Sequence, residues 1–413
     1  MEKPVRVVIV GNGFGGIYAL KYLHKFAHNT KNIELSLISE KNYFLFTPLL
    51  HEVATGGLNR SNIVEPIRKV LGCCLNKFYL GKAQFIDTVN QTVTTKDGAV
   101  LYDYLVLATG ATTNFYGIPG AEQYSYTLKS IEDAINIKNR VISQIEHASQ
   151  VADEDKKHKM LRFVVVGGGP TGVELVAELA ELIQDTFSRY YRYGVLKYVS
   201  LVLIHRDKEL LAQFGEKIRQ KSLQVLRKKG VNVMLESSVT EVGVDFIGLA
   251  DGQKLESETV IWVGGVRGNA PEFDQKTEAT ADGRLIVDKF FALTNHKNIF
   301  AIGDLAAFKD NNGYLPALAQ VAEQEARTLA QNISLILSEL PPKEFRYKHL
   351  GSMLSLGQWM AAGEVKGFTF YGKLAWWIWR TVYLFKFISL RKKLRVAIEW
   401  TINLLSARDI SEL

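Results

Sequence analysis

The chain has 413 residues, which is enough for two or three domains with a large buried core. Hydrophobic residues make up 47% and charged residues 23%, as in ordinary globular proteins. Residues 371–413 hold eight Lys or Arg against three Asp or Glu, so this segment carries most of the net charge of +7. A local basic patch indicates a surface partner, and no RNP-like strand or zinc-knuckle spacing points to nucleic acid.

The N-terminal sequence MEKPVRVVIVG enters an apolar strand directly, so no signal peptide is predicted. Cys73 and Cys74 are the only cysteines and, being adjacent, they cannot staple distant segments. We interpret both as reduced residues of a cytosolic protein. No cluster of ligating residues indicates a metal site, so none is predicted.

The first nucleotide-binding signature is VRVVIVGNGFGGIYALKYL, an apolar strand, a glycine turn and an amphipathic helix. Gly11, Gly13 and Gly16 have the G-x-G-x-x-G spacing, which permits a tight turn, a pyrophosphate against the backbone and close helix packing. The next strand, IELSLISE, ends at Glu40, 24 residues after Gly16, where such folds hold a ribose hydroxyl. The segment is predicted to bind a dinucleotide.

The signature repeats in LRFVVVGGGPTGVELVAELAEL, with Gly167, Gly169 and Gly172 in the same spacing. A further apolar strand, YVSLVLIHRD, follows. Two such motifs, 156 residues apart, predict two bound dinucleotides. Asp304 ends another apolar strand, where it is placed to bind a flavin ribityl hydroxyl, or alternatively to cap a helix. The remaining predicted cofactor contacts are Phe14, Lys41, Thr109, Gly110, Gly265 and Ala319.

The paired motifs, with ATG and GD strand ends, resemble the two-dinucleotide flavoprotein reductases, the glutathione-reductase-like superfamily. Within it, NYFLFTPLLHEVATGGL, VIWVGGVRGN and HLGSMLSLGQ resemble type II NADH dehydrogenases, the single-subunit NADH:quinone oxidoreductases. The most specific stretch is residues 319–324, AQVAEQ, which matches the A-Q-x-A-x-Q quinone-site motif of that family.

The resemblance implies an α/β fold of two nested Rossmann-like domains, followed by a C-terminal amphipathic helical region that anchors the protein to a membrane. It also implies non-covalent FAD and a homodimer. The predicted ranges are 1–115 and 276–340 for the FAD domain, 116–275 for the nicotinamide domain and 341–413 for membrane association.

Three side chains are predicted to act in the reaction. Gln320 and Gln324 lie four residues apart on one helical face, where their amides can donate hydrogen bonds to quinone carbonyls. The alternative is that both are exposed polar positions. Glu174 lies in the first turn of the second nucleotide helix, and in the resembled family the corresponding acid is proposed to assist substrate binding or proton transfer. Alternatively it only caps or spaces its helix, because it shares a face with Glu178 and Glu181.

The electron donor is less clearly specified by the sequence. NADH-specific members usually carry a carboxylate at the end of the second nicotinamide-domain strand, but this chain has His205 and Arg206 there. A guanidinium can pair with the 2′-phosphate of NADPH through charge-assisted hydrogen bonds. We therefore expect NADH to be a substrate, with weak or reversed discrimination against NADPH. The alternative is that Asp207 turns back to bind the ribose hydroxyls.

The tail LAWWIWRTVYLFKFISLRKKLRVAIEW, residues 374–400, combines tryptophans with a closing basic cluster. A spanning helix needs roughly 20 mainly apolar residues, and Arg380 and Lys386 interrupt this run. A buried core helix would also carry both charges at a large cost unless each found a partner. We predict instead a monotopic helical region on an anionic lipid surface.

Taken together, these features predict a respiratory flavoprotein that passes two electrons from NADH or NADPH through FAD to a membrane quinone without pumping protons. Its predicted location is the cytoplasmic face of a bacterial inner membrane. Two alternatives remain open from the sequence. One is a soluble NAD(P)H-dependent flavin reductase that serves a ferredoxin-like carrier, and the other is a redox-controlled flavoprotein that binds partners or lipid.

Overall fold

The computed structural model describes residues 3–27, 33–71, 75–191, 194–311 and 313–412, so Cys73 and Cys74 lie outside the described residues. A π-helix, Leu182–Phe187, follows the seventh α-helix. The α-helices are α1 Phe14–Ala27, α2 Leu50–Ala54, α3 Ile67–Leu71, α4 Ala121–Tyr124, α5 Ile131–Gln150, α6 Glu154–Met160, α7 Pro170–Glu181, α8 Ser188–Tyr190, α9 Glu216–Lys228, α10 Ala319–Leu337, α11 Lys373–Lys386 and α12 Leu390–Ile402.

The strands contain between two and seven residues. They are β1 Val5–Val10, β2 Ile33–Ser39, β3 Tyr43–Leu45, β4 Val64–Pro66, β5 Lys77–Leu80, β6 Phe85–Asp87, β7 Thr92–Thr95, β8 Gly98–Leu101, β9 Tyr104–Leu107, β10 Ala111–Thr113, β11 Ser125–Tyr126, β12 Arg162–Val166, β13 Ser200–Ile204, β14 Val231–Met234, β15 Val239–Val242, β16 Phe246–Leu249, β17 Lys254–Glu256, β18 Thr259–Trp262, β19 Val266–Gly268, β20 Glu272–Phe273, β21 Leu285–Ile286, β22 Ala292–Leu293, β23 His296–Ala301, β24 Ala306–Ala307, β25 Lys309–Asp310, β26 Gly313–Tyr314, β27 Ser352–Ser355, β28 Ala361–Val365 and β29 Phe368–Gly372.

The chain forms two compact units, each assembled from three segments. The nicotinamide domain was predicted at 116–275, and the central segment of the second unit spans 113–265. Of the predicted membrane-association region, 341–413, residues 350–413 belong to the second unit and residues 341–349 to the first. The first unit is Met1–Leu45, Val64–Thr112 and Val266–His349, and the second unit is Phe46–Ile63, Thr113–Gly265 and Leu350–Leu413.

The first unit is built on a six-stranded sheet in the order β22-β23-β9-β1-β2-β5. Strand β1 pairs in parallel with β2 and with β9, and its residues Val7–Val10 are buried. A continuous apolar run of this kind is typical of a parallel strand covered on both faces. The strand order reverses at β1, and ligands bind beyond the carboxyl ends of the strands at such a switch point.

The second unit repeats this design with the order β11-β18-β12-β13-β14, in which every pair is parallel. Strand β12 takes the place that β1 has in the first unit, and α7 follows it as α1 follows β1. Val164, Val202, Val260 and Trp262 from neighbouring strands form part of one buried core. These two sheets confirm the predicted α/β fold with two Rossmann-like units.

Residues 350–412 add an antiparallel sheet, β27-β28-β29, and the helices α11 and α12 to the second unit. One side of the helix pair is buried through Trp376, Trp379, Val396 and Trp400. No helix in the described parts of the chain is long and apolar enough to cross a membrane. The exposed apolar residues of the pair, here called the apolar row, are Leu374, Trp377, Ile378, Val382, Phe385, Leu390, Leu394, Ile398 and Ile402.

Candidate cofactor and electron-transfer sites

The first glycine turn has the shape that a pyrophosphate requires. Gly11 has a φ of +104°, which side chains rarely tolerate, and a Cβ there would collide with the Ala108 carbonyl oxygen. A Cβ at Gly16 would collide with the carbonyl oxygen of Gly11, so the helix packs closely on the turn. At Gly13 no atom lies within 4 Å of the same position, which leaves open space in front of the backbone.

The acid-bearing loop of the first unit is tied to this turn. Glu40 and Lys41 are exposed directly after β2, and the Asn12 side-chain amide donates to the Lys41 carbonyl oxygen at 3.1 Å. Phe14 begins α1, and its ring packs edge-on against Phe44 with centroids 5.1 Å apart. The loop thus presents Glu40 at the carboxyl end of β2, where a ribose hydroxyl acceptor is expected.

Three further predicted contacts follow strands of the same sheet. After β9, the Thr109 hydroxyl donates to the Asn269 carbonyl oxygen at 2.6 Å, and the Asn269 N–H donates to the Gly110 carbonyl oxygen at 3.1 Å. Asp304 lies in the 3₁₀ turn Gly303–Leu305, which follows β23. Since β23, β9, β1 and β2 are adjacent and parallel, these residues share one sheet edge, and together they fit FAD.

The sequence analysis did not single out Glu325, which is only 1% exposed. Its carboxyl accepts a hydrogen bond from the Gly303 N–H at 2.6 Å, in the turn that carries Asp304. Burial, with a smaller contribution from the Asp304 charge, raises the pKa of Glu325 to about 8. The sequence did contain a signal for its burial, because Glu325 falls on the apolar face of α10 beside Ala322 and Leu329.

Glu325→Gln is expected to change how stability depends on pH. The raised pKa in the folded state means that the native carboxyl retains its proton while the unfolded one, near 4.5, has lost it. Its contribution is therefore complete below about pH 4.5 and is lost as pH rises towards 8. The glutamine remains neutral, so the Tm of the variant should exceed the wild-type Tm at pH 9 and match it at pH 5. A Tm difference between variant and wild type that is the same at pH 5 and pH 9 would contradict this.

The quinone-motif residues lie at the start of α10 in the first unit. Ala319 is the first helical residue, and Gln320 and Gln324 are half-buried. The Gln324 amide donates to the Lys348 carbonyl oxygen at 3.0 Å and accepts from the Lys348 N–H at 3.1 Å. Gln324 therefore fixes the backbone at Lys348, and a role in quinone binding stays a prediction for both glutamines.

The second glycine turn reproduces the first. Gly167 has a φ of +122°, and a Cβ there would lie 2.7 Å from the Gly264 Cα. A Cβ at Gly172 would collide with the Gly167 carbonyl oxygen, while at Gly169 no atom lies within 4 Å. The second unit thus also has an open turn at the N-terminus of a helix, where backbone N–H groups favour a phosphate. These residues fit a nicotinamide dinucleotide.

The end of β13 carries both a carboxylate and a guanidinium. His205 Nδ1 accepts a hydrogen bond from the Gly168 N–H at 3.1 Å, and burial lowers the pKa of His205. Asp207 places one carboxylate oxygen 3.4 Å from His205 Nε2 and the other 3.6 Å from Arg206 Nε. NADH therefore has a candidate partner in the Asp207 carboxylate, and NADPH has one in the Arg206 guanidinium. The preference between the two electron donors stays a prediction.

Glu174 is the fifth residue of α7 and is buried, so it lies just beyond the first turn where the sequence placed it. It does not cap the helix, because the N-cap is Gly169. One carboxyl oxygen accepts from the Ser355 N–H at 2.9 Å, and the other lies 3.8 Å from His51 Nδ1. Burial raises the pKa of Glu174 to about 8 and lowers the pKa of His51 to about 4. At neutral pH Glu174 thus holds a proton while His51 does not.

Behind Glu174, α7 continues into a buried ionic cluster that sequence analysis missed. Arg408 Nη2 lies 2.6 Å from Glu178 and 3.1 Å from Glu181. Burial acts to raise the pKa of Glu178, but the Arg408 charge outweighs it and the net shift is downward. Glu52 accepts from Trp400 Nε1 at 2.7 Å, and burial raises its pKa to about 8. No local pattern links these distant segments.

Comparison with known proteins agrees with this geometry. A pyridine nucleotide-disulphide oxidoreductase model matches residues 5–326, and an NDH2 C-terminal domain model matches residues 349–409. The type II NADH:quinone oxidoreductase Ndh of Mycobacterium tuberculosis is 31% identical over 98% of this chain and 89% of its own. The chain belongs to the type II NADH dehydrogenases. The prediction of this family from the sequence is confirmed.

One further relative and one solved structure extend the comparison. A probable NADH dehydrogenase of Dictyostelium discoideum is 31% identical over 98% of this chain and 91% of its own. Among solved structures, NDH2 of Plasmodium falciparum in complex with NADH superimposes with a TM-score of 0.91 at 23% identity, over 99% of this chain and 100% of that one. This last likeness supports the fold.

Proposed function

We propose that this type II NADH dehydrogenase oxidises NADH and passes both electrons through FAD to a quinone. The observation that supports it most directly is the presence of two open glycine turns in one chain, each at the switch point of a mainly parallel sheet. Relatives that span the whole chain carry the same activity in their names. The two adjacent cysteines offer no separated dithiol pair, so a quinone acceptor fits better than a thiol relay.

When bound, FAD supplies hydride acceptance from a nicotinamide and electron transfer to a quinone. The first glycine turn, Glu40 and Asp304 would hold FAD, and the second glycine turn would hold the nicotinamide dinucleotide. Glu174 keeps a proton on its carboxyl at neutral pH and can donate it to a nearby group that gains negative charge. Gln320 and Gln324 orient the quinone through their side-chain amides.

The protein acts on the surface of a membrane, and we propose the cytoplasmic face of a bacterial inner membrane. The apolar row supports this, because nine exposed apolar side chains on two successive helices form a face that water solvates poorly. Arg391, Lys393 and Arg395 on α12 add positive charge for anionic headgroups. A homodimer, implied by the family resemblance, completes the proposal.

The test uses the purified, yellow holoenzyme under anaerobic conditions. NADH should bleach the flavin absorbance within the turnover time, and a short-chain quinone should restore it without added protein. Restoration only by a ferredoxin-like carrier would replace the proposal with the soluble reductase. Failure of both NADH and NADPH to bleach the flavin would indicate a binding protein that is not an oxidoreductase.

A further inference from the structure

Tyr116 lies at the carboxyl edge of the second unit's sheet and was not recognised from the sequence. Its backbone has a φ of +52°, a region that bulky residues rarely occupy, and the residue is 51% exposed. Non-glycine residues in this region persist where the surrounding structure holds them, and they cluster at ligand sites. The local contacts of Tyr116 show what holds it.

The segment around Tyr116 is fixed to the end of β18. The Asn114 N–H donates to the Gly265 carbonyl oxygen at 3.1 Å, and Trp262 Nε1 donates to the Asn114 carbonyl oxygen at 2.9 Å. The Asn114 side chain in turn accepts from the Tyr116 N–H at 2.9 Å. Phe115 packs against the buried core of the sheet. The backbone of this segment is therefore rigid, and Tyr116 projects from it.

The side chain of Tyr116 contacts residues that follow two different strands. Its hydroxyl donates to the Gly264 carbonyl oxygen at 3.3 Å, just beyond β18. The Arg206 guanidinium carbon, beyond β13, lies over its ring at 5.7 Å from the centroid. Since β12 lies between β18 and β13, Arg206 reaches back across the strand that carries the glycine turn.

The direction of the Arg206 side chain affects whether NADH or NADPH binds better. In this fold the pyrophosphate lies at the glycine turn after β12, and the adenosine ribose lies at the end of β13. A guanidinium held over Tyr116 points from β13 towards β18, away from the adenosine side. Its attraction to the ring competes with its attraction to a 2′-phosphate.

We propose that Tyr116 is a specificity-determining residue that holds Arg206 away from the adenosine ribose and so favours NADH over NADPH. The proposal rests on the proposed function only in taking this turn to bind a nicotinamide dinucleotide. Removing the ring frees Arg206 to pair with the 2′-phosphate. Any effect of Tyr116 on dinucleotide binding in general cancels in the ratio of the two affinities.

The test measures the Kd of NAD⁺ and of NADP⁺ for the oxidised holoenzyme by titration calorimetry at low salt, where neither ligand reduces the flavin. Tyr116→Asn removes the ring and retains a residue that tolerates positive φ. It should shift the ratio of the two Kd values towards NADP⁺ by about two- to fivefold, the size of an exposed cation–π contact. Tyr116→Phe retains the ring and should leave the ratio unchanged.

A double-mutant cycle with Arg206→Gln completes the design. In the Arg206→Gln background, Tyr116→Asn should no longer change the ratio, because no guanidinium remains to be released. An equal shift in that background would overturn the proposal, and so would an unchanged ratio in the Tyr116→Asn single variant. A shift towards NAD⁺ would show that Tyr116 instead presents Arg206 to the 2′-phosphate. If the wild-type protein bound neither NAD⁺ nor NADP⁺, the proposed function itself would be contradicted.

Discussion

Arg408→Met is expected to lower the free energy of unfolding by about 3–5 kcal/mol, the usual effect of removing one partner of a buried ion pair. Glu178 and Glu181 are both buried, and the variant would leave them without the guanidinium that they share. For a unit of this size the loss corresponds to a fall in Tm of roughly 6–20 °C. Thermal unfolding followed by circular dichroism measures it directly.

The same experiment separates lost charge pairing from lost packing. In Arg408→Met the pKa of Glu178 should rise, because the charge that holds it down is gone. The loss of stability should therefore shrink as pH falls and the two carboxyls take up protons. Adding Glu178→Gln, which leaves Glu181 paired with Lys229 Nζ at 2.6 Å, should restore most of the Tm at pH 7. A deficit that is the same at every pH and persists in the double variant would indicate packing alone.

Replacing Phe385, Leu390 and Leu394 together by serine is expected to release the protein from lipid vesicles. Phe385 and Leu390 are 72% and 70% exposed, so the changes remove apolar surface without opening the core. Inserting each such side chain into lipid contributes about 1.5–3 kcal/mol, so the partition coefficient should fall at least about a thousandfold. Vesicle flotation measures the partition, and the bound flavin colour reports an intact fold.

Two controls make this membrane test specific. Leu80→Ser with Leu101→Ser removes leucines of similar exposure from the first unit and should leave flotation unchanged. Arg391→Gln with Lys393→Gln should weaken binding to anionic vesicles, but not to neutral ones, and the difference should fade at high salt. Wild-type flotation by the triple serine variant would show that the apolar row does not contact lipid.

Local patterns were sufficient to predict the two nucleotide-binding units. Each consists of a strand, a glycine turn and a helix that follow one another in sequence, so spacing alone identifies Gly11 to Gly16 and Gly167 to Gly172. The switch-point position of β1 and β12 follows from the way such motifs pack. Predictions of this kind succeed because neighbouring residues determine the geometry.

The tail shows where a local pattern was insufficient. From the sequence we predicted a helical region on a lipid surface and not a core helix, because buried Arg380 and Lys386 would need partners. Arg380 has them, since its guanidinium carbon lies 3.7 Å from the Trp376 ring centroid and 4.9 Å from that of Trp400. Burial nevertheless lowers the pKa of Arg380 to about 10. The helices therefore cover the core on one side while exposing the apolar row on the other.

The contacts within the buried cluster of carboxyls and Arg408 could not be predicted from the sequence for a related reason. Glu52, Glu174 and Arg408 come from three separate segments of the second unit, and only the folded chain brings them together. Each stretch of sequence shows a charged residue, but nothing in one stretch identifies its partners in the other two. Glu325 is the exception, because the period of α10 alone places it among apolar residues.

The division of the second unit into residues 46–63, 113–265 and 350–413 also affects its biosynthesis. Trp376, Trp379 and Trp400 fill its core and Arg408 neutralises its carboxylates, so a nascent chain that stops near residue 350 cannot complete it. Until those residues emerge from the ribosome, the partner surfaces of α2 and α7 stay open to water and to chaperones. The segment proposed to contact lipid is thus also the segment that completes the fold of the second unit.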